Sequence, residues 1–302
     1  DGGFWFASEL GALVRALPAQ PAVDLDAIEQ YLTLQYVPAP LTAFAGVRTL
    51  PAAHCLTISP GGAPLVQRWW RLSFAPGPAL ALDDAVAETR ARVEDAVAVR
   101  EVADVPLGAF LSGGIDSSVV VALLARRSSR AVKTFSVDFP AGDGGEAAYA
   151  RLVARRYGTD HHELTVRPEM VSILPRLVAR YGEPFADPSA VPTFYVSEMA
   201  RRQVTVALSG DGGDEVFGGY HRYAIEEAAR RVGRMPWPVP RLVHAIMRRL
   251  PGAALRPARE FAAHRWRSPV ELDLFFLAHF TRRDKERLLG PAIIVLVFAM
   301  VI

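Results

Sequence analysis

The sequence predicts an α/β protein, a parallel sheet flanked by helices, with a smaller β-rich segment ahead of it. Three observations carry that expectation. From about residue 83, short apolar runs alternate with longer runs of helical period, the pattern of a parallel sheet covered on both faces. Hydrophobic residues make up 51% of the 302 and charged ones 22%, enough apolar material for a packed core. Two of the apolar runs end in loops rich in glycine and acid, Ser112-Gly113-Gly114-Ile115-Asp116-Ser117 and Ser209-Gly210-Asp211-Gly212-Gly213-Asp214-Glu215. The carboxyl ends of parallel strands are where such sheets bind ligands.

The elements follow in order. Phe4-Trp5-Phe6-Ala7 reads as a strand. Asp24 caps a helix to about Leu34, with Ile28, Tyr31 and Leu32 on one face. His54–Ile58 and Leu65–Trp70, joined through Pro60-Gly61-Gly62, read as a hairpin. Ala75-Pro76-Gly77-Pro78 marks a linker, which divides the chain into residues 1–75, a linker at 76–82 and a larger domain at 83–302. Asp83 or Asp84 caps a long helix carrying Val86, Val93 and Val97. Strands are expected at Leu107–Leu111, Lys133–Asp138, His162–Val166 and Val204–Leu208. Helices are expected at Val119–Arg127, Glu146–Tyr157, Val171–Tyr181 and Glu215–Val232, continuing to about Leu289.

Composition excludes several classes. The formal net charge is +2, without the basic footprint of a nucleic-acid binder. Cys55 is the only cysteine, so neither a disulfide framework nor a cysteine zinc site can form within the chain, and a reducing cytoplasmic setting fits. All basic residues except Lys133 and Lys285 are arginines. The amino end carries no signal-peptide pattern. The apolar run 292–302 is far shorter than the ~20 residues of a membrane span, so no membrane role is expected. Both ends look cut.

The first loop has the composition of a phosphate cradle. Glycines let backbone N–H groups approach a ligand, the helix that follows offers a positive N-terminus, and Ser112, Ser117 and Ser118 add hydroxyls. Asp116 is out of place against an anion unless a cation intervenes, and Mg²⁺, held by one or two carboxylates plus phosphates, resolves the conflict. The loop is neither a Walker A sequence nor a dinucleotide G-x-G-x-x-G. The pattern S-G-G-x-D-S belongs to enzymes that cleave ATP between the α and β phosphates and hold the departing pyrophosphate. The second loop sets Asp211, Asp214 and Glu215 within five positions, and like charges so close require a shared cation or proton. Asp214 is the candidate second ligand to Mg²⁺. Asp211 is placed to take a proton from an attacking amine or to orient a reacting carboxylate.

With these loops, Gly158-Thr159-Asp160-His161-His162-Glu163, Glu183-Pro184-Phe185-Ala186-Asp187-Pro188-Ser189-Ala190-Val191-Pro192-Thr193 and Val216-Phe217-Gly218-Gly219-Tyr220, the chain resembles the glutamine-hydrolysing asparagine synthetase family. Phe6-Ala7-Ser8-Glu9-Leu10 and Gly46-Val47-Arg48-Thr49-Leu50-Pro51 resemble the tail of that family's glutaminase domain. The resemblance implies an adenine-nucleotide α-hydrolase-like synthetase domain, truncated, preceded by the remnant of an N-terminal-nucleophile glutaminase domain. It implies ATP-dependent amidation of a carboxylate through an acyl-adenylate, aspartate to asparagine being the leading assignment, with ammonia drawn from glutamine in full-length relatives. Adenosine is then held at Leu111, Val137, Ser209 and Gly210. Asp211 stands where many members carry glutamate. Tyr220 and Arg222 are candidates for the acyl-substrate pocket, and a homodimer is compatible with the reading.

Two alternatives stay open: amidation of another carboxylate, on a sugar or a peptide, and a remnant that binds Mg·ATP without turnover. The chain alone is expected to lack glutaminase activity, because the family's nucleophile is an N-terminal cysteine and Cys55 lies in a predicted hairpin. The family's phosphate-stabilising lysine falls in a later segment. Lys285 sits in Arg282-Arg283-Asp284-Lys285-Glu286-Arg287, which reads as a solvated helix face. His161-His162-Glu163 lacks the spacing of a zinc site and reads as a strand start with a half-buried imidazole.

Overall fold

The computed structural model describes residues 3–75, 77–139, 145–166, 170–221, 223–224, 227, 231, 280 and 282–289. Arg222, the helices expected between residues 232 and 279, and the apolar run 292–302 lie outside them.

The elements of the amino-terminal segment are α1 (Leu10–Ala16), α2 (Leu25–Leu34) and a hairpin of β1 (His54–Thr57) and β2 (Leu65–Arg68). Asp24 caps α2 as expected, its Oδ1 accepting the Ala27 N–H at 3.1 Å, and Gln35 ends the helix in the left-handed conformation (φ 68°). The hairpin pairs Cys55 with Gln67 and Leu56 with Val66. Residues 4–7 form no strand. Their aromatic run has the strand composition, but no neighbouring backbone among the described residues supplies a ladder, and a strand exists only through its partner.

The larger segment alternates α3 (Leu82–Arg100), β3 (Leu107–Phe110), α4 (Ile115–Arg127), β4 (Lys133–Asp138), α5 (Gly145–Tyr157), β5 (Asp160–Thr165), α6 (Met170–Tyr181), α7 (Ala190–Arg201), β6 (Val206–Leu208) and α8 (Gly213–Phe217). A further helix, α9 (Arg282–Leu289), follows. The four strands are parallel, in the order β5-β4-β3-β6. The expected α/β architecture is therefore present.

Both faces of the sheet are covered. On one, Val97 of α3, Val121 and Leu124 of α4 and Ala150 and Ala154 of α5 pack on Ala109 and Leu111. On the other, Ala200 of α7 and Val204 pack on the fully buried Phe135 with Phe110. Alternation along β3 makes this possible, since Ala109 and Phe110 face opposite sides. Ile173 and Leu177 of α6 pack on Val191 of α7.

Several local expectations differ. Neither Asp83 nor Asp84 caps α3. The N-cap is Ala81, without a side-chain bond, and both carboxylates lie in the first turn, where the helix dipole favours them. Helix α4 begins at Ile115 rather than Val119, so the glycine loop runs straight into its N-terminus. The helix expected from Glu215 is interrupted after Phe217, where Gly218 turns left-handed (φ 69°). Helices α1 and α7 were not anticipated.

Candidate active site

The sheet order brings the two glycine loops together. β6 follows β3 by about a hundred residues, yet Ala109 lies beside Leu208 in register. The loops leaving these neighbouring strands share one edge, at their carboxyl ends.

The first loop folds on its own hydroxyls. Gly114 donates its N–H to Ser112 Oγ (3.2 Å), and the Ser112 and Ser117 hydroxyls lie 3.0 Å apart. Ser118 Oγ donates to the Gly114 carbonyl at 2.6 Å. Gly114 is the N-cap of α4 and has no side chain to cap it, and no side chain among the described residues is recorded on the first-turn amides. Those N–H groups, with the dipole behind them, are suited to an anion. Gly113 has φ +89°, and a Cβ there would stand 2.6 Å from the Glu146 carbonyl oxygen and 2.6 Å from the Ala150 nitrogen of α5. Only glycine lets the loop sit so tightly against α5. Ser136, which the sequence reading passed over, anchors the strand end below by donating its hydroxyl to the Leu111 carbonyl. Its one visible signal is a small polar residue set between Phe135 and Val137.

The second loop closes over the first. A Cβ on Gly210 would lie 2.7 Å from the Ser117 nitrogen and 2.9 Å from the Asp116 carbonyl carbon. A Cβ on Gly213 would meet the Asp116 carboxylate, 2.6 Å from Oδ1 and 2.9 Å from Oδ2. The glycines of one loop are thus spaces that the other fills. Ser209 Oγ donates to Asp211 Oδ2 at 2.9 Å, and Asp211 is exposed. Asp214 packs its carboxylate on Gly219. Tyr220 donates its hydroxyl to Glu215 Oε1 at 2.7 Å and packs edge-on to Tyr223.

Leu111 is buried, while Ser112, Asp116, Ser117, Ser118, Val137, Ser209 and Gly210 lie in or beside the two loops. No group of three or more His, Cys, Asp or Glu side chains among the described residues is placed to hold a metal. Mg²⁺ takes one or two carboxylates and draws its remaining oxygens from phosphates and water, so a single carboxylate beside anion-facing amides is compatible with it. Asp116 is pressed between both loops at a helix N-terminus.

His161 and His162 are half-buried at the edge strand. Thr134 Oγ1 lies 2.9 Å from His161 Nδ1, and His162 stacks on Phe135 with ring centres 5.4 Å apart. Burial holds the His161 pKa below the ordinary imidazole value. Cys55 is exposed on β1, its Sγ 3.6 Å from the Gln67 carbonyl.

A family model described as asparagine synthase matches residues 88–293, and one described as a glutamine amidotransferase domain matches residues 1–70. The chain belongs to the asparagine synthase family, and its sheet is the adenine-nucleotide α-hydrolase-like one of that family. Among curated proteins it is 36% identical to asparagine synthetase (glutamine-hydrolysing) 1 of Bacillus subtilis, over 77% of this chain and 36% of that protein. It is 29% identical to asparagine synthetase (glutamine-hydrolysing) 3 of the same organism, over 72% of this chain and 38% of that protein. A more distant relative is amidase chry2 of Gibberella zeae, 29% identical over 61% of this chain and 30% of that protein. The chain spans about a third of the length of these relatives. No helix among the described residues is long and apolar enough to cross a membrane.

Proposed function

We propose that this chain carries the synthetase chemistry of a glutamine-dependent amidotransferase: ATP-dependent amidation of a small carboxylate, with aspartate giving asparagine, AMP and pyrophosphate. The observation that carries it is the fit of Gly210 and Gly213 against Ser117 and Asp116. That fit brings two loops distant in sequence together at the strand ends, which supports reading them as one site for an anion and a carboxylate. The asparagine synthase family, to which the chain belongs, supports amidation driven by ATP.

In this reading the Ser112–Ser118 loop and the first amides of α4 hold the β and γ phosphates, which become pyrophosphate. Leu111, Val137, Ser209 and Gly210 hold the adenosine. Asp116 and Asp214 would hold Mg²⁺, which would offset charge on the phosphates. A carboxylate oxygen of the substrate attacks the α phosphorus, the bond to the β-phosphate oxygen breaks, and pyrophosphate leaves. Ammonia then attacks the acyl carbon and AMP departs with the bonding pair. Asp211, exposed and held by Ser209, accepts the proton from the attacking nitrogen. Tyr220 borders the acyl pocket, and Arg222 is assigned to it by sequence position alone.

We assign no glutaminase role to Cys55, which sits on an exposed hairpin strand. A domain division at 76–82 and a cytoplasmic setting, argued from the single cysteine, belong to the same reading.

The test is substrate-dependent exchange of labelled pyrophosphate into ATP with Mg²⁺, offered aspartate and a panel of other carboxylates. Exchange with aspartate supports the full assignment. Exchange with another acid alone keeps the adenylate and replaces the substrate. A folded chain that binds Mg·ATP without exchange refutes the proposal.

A further inference from the structure

We propose that Glu29, Thr33 and Lys285 form a buried clasp that fixes the amidotransferase-matching segment to the synthase-matching segment and sets the position of α7 over the sheet. The run around Lys285 reads in sequence as a solvated face, and the structure corrects this: Lys285 is only 7% exposed and Glu29 1%. Lys285 Nζ donates to Glu29 Oε1 and, at 2.7 Å, to Thr33 Oγ1. Thr33 in turn donates its own hydroxyl to the Glu29 carbonyl at 3.2 Å. The threonine oxygen therefore turns a lone pair toward the ammonium. Glu29 and Thr33 stand four apart on α2, on one face, and Lys285 arrives from α9, across 256 positions of sequence.

Two buried charges of opposite sign cannot be separated by degrees. Losing one partner leaves the other desolvated and alone, so the pair is either shut or open to water. A second set of contacts continues the same seam. Ala186 donates its N–H to the Gln35 carbonyl at 2.9 Å, and Gln35 Nε2 returns a bond to the Ala186 carbonyl at 3.4 Å. Glu183 Oε2 accepts the Ala43 N–H at 3.0 Å. A small cavity of about 90 Å³, lined by Tyr31, Leu32, Gln35, Ala186 and Phe280, lies within it.

The 182–187 turn gripped in this way leads through Ser189 directly into α7. That helix packs against Phe135 and Phe110, and Phe110 is two residues before Ser112. Beside the clasp, Gln35 and Ala43 thus join α2 and the segment after it to the strand that carries the first loop by a continuous run of packed elements.

Backbone amide exchange, followed by mass spectrometry on the whole chain, tests this without any activity. Lys285→Met should speed exchange in residues 25–35 and 182–187 by about tenfold or more, with β3 and β4 unchanged. The double variant Glu29→Met/Lys285→Met removes both charges and should exchange more slowly in those stretches than Lys285→Met alone, since an apolar pair tolerates burial. Should Lys285→Met not fold, Thr33→Val, which removes one bond, should show the same local pattern at a few-fold. Unchanged exchange in both stretches, acceleration spread evenly over β3 to β5, or additive effects in the double variant would each overturn the clasp.

Discussion

Gly213→Ala is a steric probe of Asp116 that leaves the backbone alone. The added methyl would stand 2.6 Å from Asp116 Oδ1 and 2.9 Å from Oδ2. Asp116 Cγ is nearer still, and ordinary van der Waals contact begins at 3.4 Å, so the carboxylate must retreat by about 1 Å or rotate away, a displacement that costs roughly a hundredfold in rate. The fold should lose little. Asp116 is a side chain able to turn, an off-rotamer angle costs about 1 kcal/mol, and Gly213 is not among the positive-φ residues. Gly212→Ala is the matched control. Its Cβ meets nothing within 4 Å, but its φ is +90°, so it carries about 1–2 kcal/mol of backbone strain without touching Asp116. Pyrophosphate exchange and thermal melting should therefore separate the two variants. Gly213→Ala loses exchange roughly a hundredfold with a melting shift of only a few degrees. Gly212→Ala melts at least as early and keeps more of its exchange. Gly213→Ala that exchanges within about threefold of the parent would refute the placement of Asp116 at the reacting phosphates.

Asp116→Asn should abolish Mg²⁺-dependent exchange while the melting temperature stays within a few degrees, because the side chain makes no bond that the fold needs; unchanged turnover would remove the metal assignment. Gly113→Ala should fail on stability before function, losing about 2 kcal/mol or more in denaturant melts, since its Cβ meets α5 backbone at 2.6 Å from a left-handed φ. Cys55→Ser should leave ammonia-dependent amide formation unchanged, and a lost product from folded protein would contradict the hairpin reading. Burial lowers the folded-state pKa of His161, with His162 and Arg151 acting in the same direction and Glu163 opposing. The unfolded chain therefore takes up this proton first. Its contribution is complete above the ordinary imidazole value of 6.5 and is lost as pH falls from there through the lowered folded value. Melting temperature should drop between pH 7 and pH 5.5, and His161→Gln should flatten that part of the slope.

The strands and the two loops were legible because their signals are local. β4 announces itself in Phe135 flanked by small and branched residues, and the S-G-G-x-D-S loop in six consecutive positions. What escaped depends on distance. Lys285 stands in a run of charges, and charges in a helical run ordinarily face water. Its burial is decided by Glu29 and Thr33 on a helix more than 250 residues earlier, which no window of sequence contains. Helix α7 was hidden by Pro192 and by the Asp187-Pro188-Ser189 turn that precedes it. Yet Pro192 falls in the first turn, where a helix leaves its N–H groups unpaired and proline is tolerated. Phe4 to Ala7 misled in the opposite direction, showing strand composition without a strand to pair with.

The chemistry of the site follows from strand order more than from either motif. If β6 lay anywhere but beside β3, the second loop would be an acidic turn and the first a helix cap, each without a partner. Pairing Ala109 with Leu208 places Gly210 against Ser117 and Gly213 against Asp116, and the clearance demanded there explains the glycines at 210 and 213. A larger residue at either position would occupy the space that the first loop needs. Of the carboxylates at 211 and 214, Asp211 is tied to Ser209 and exposed, and Asp214 is turned toward Gly219. Two acids that begin three positions apart in sequence are thereby given different surroundings. The proposed roles, a metal for Asp214 and a proton for Asp211, rest on that difference, and mutating Gly213 tests the contact of the second loop with Asp116.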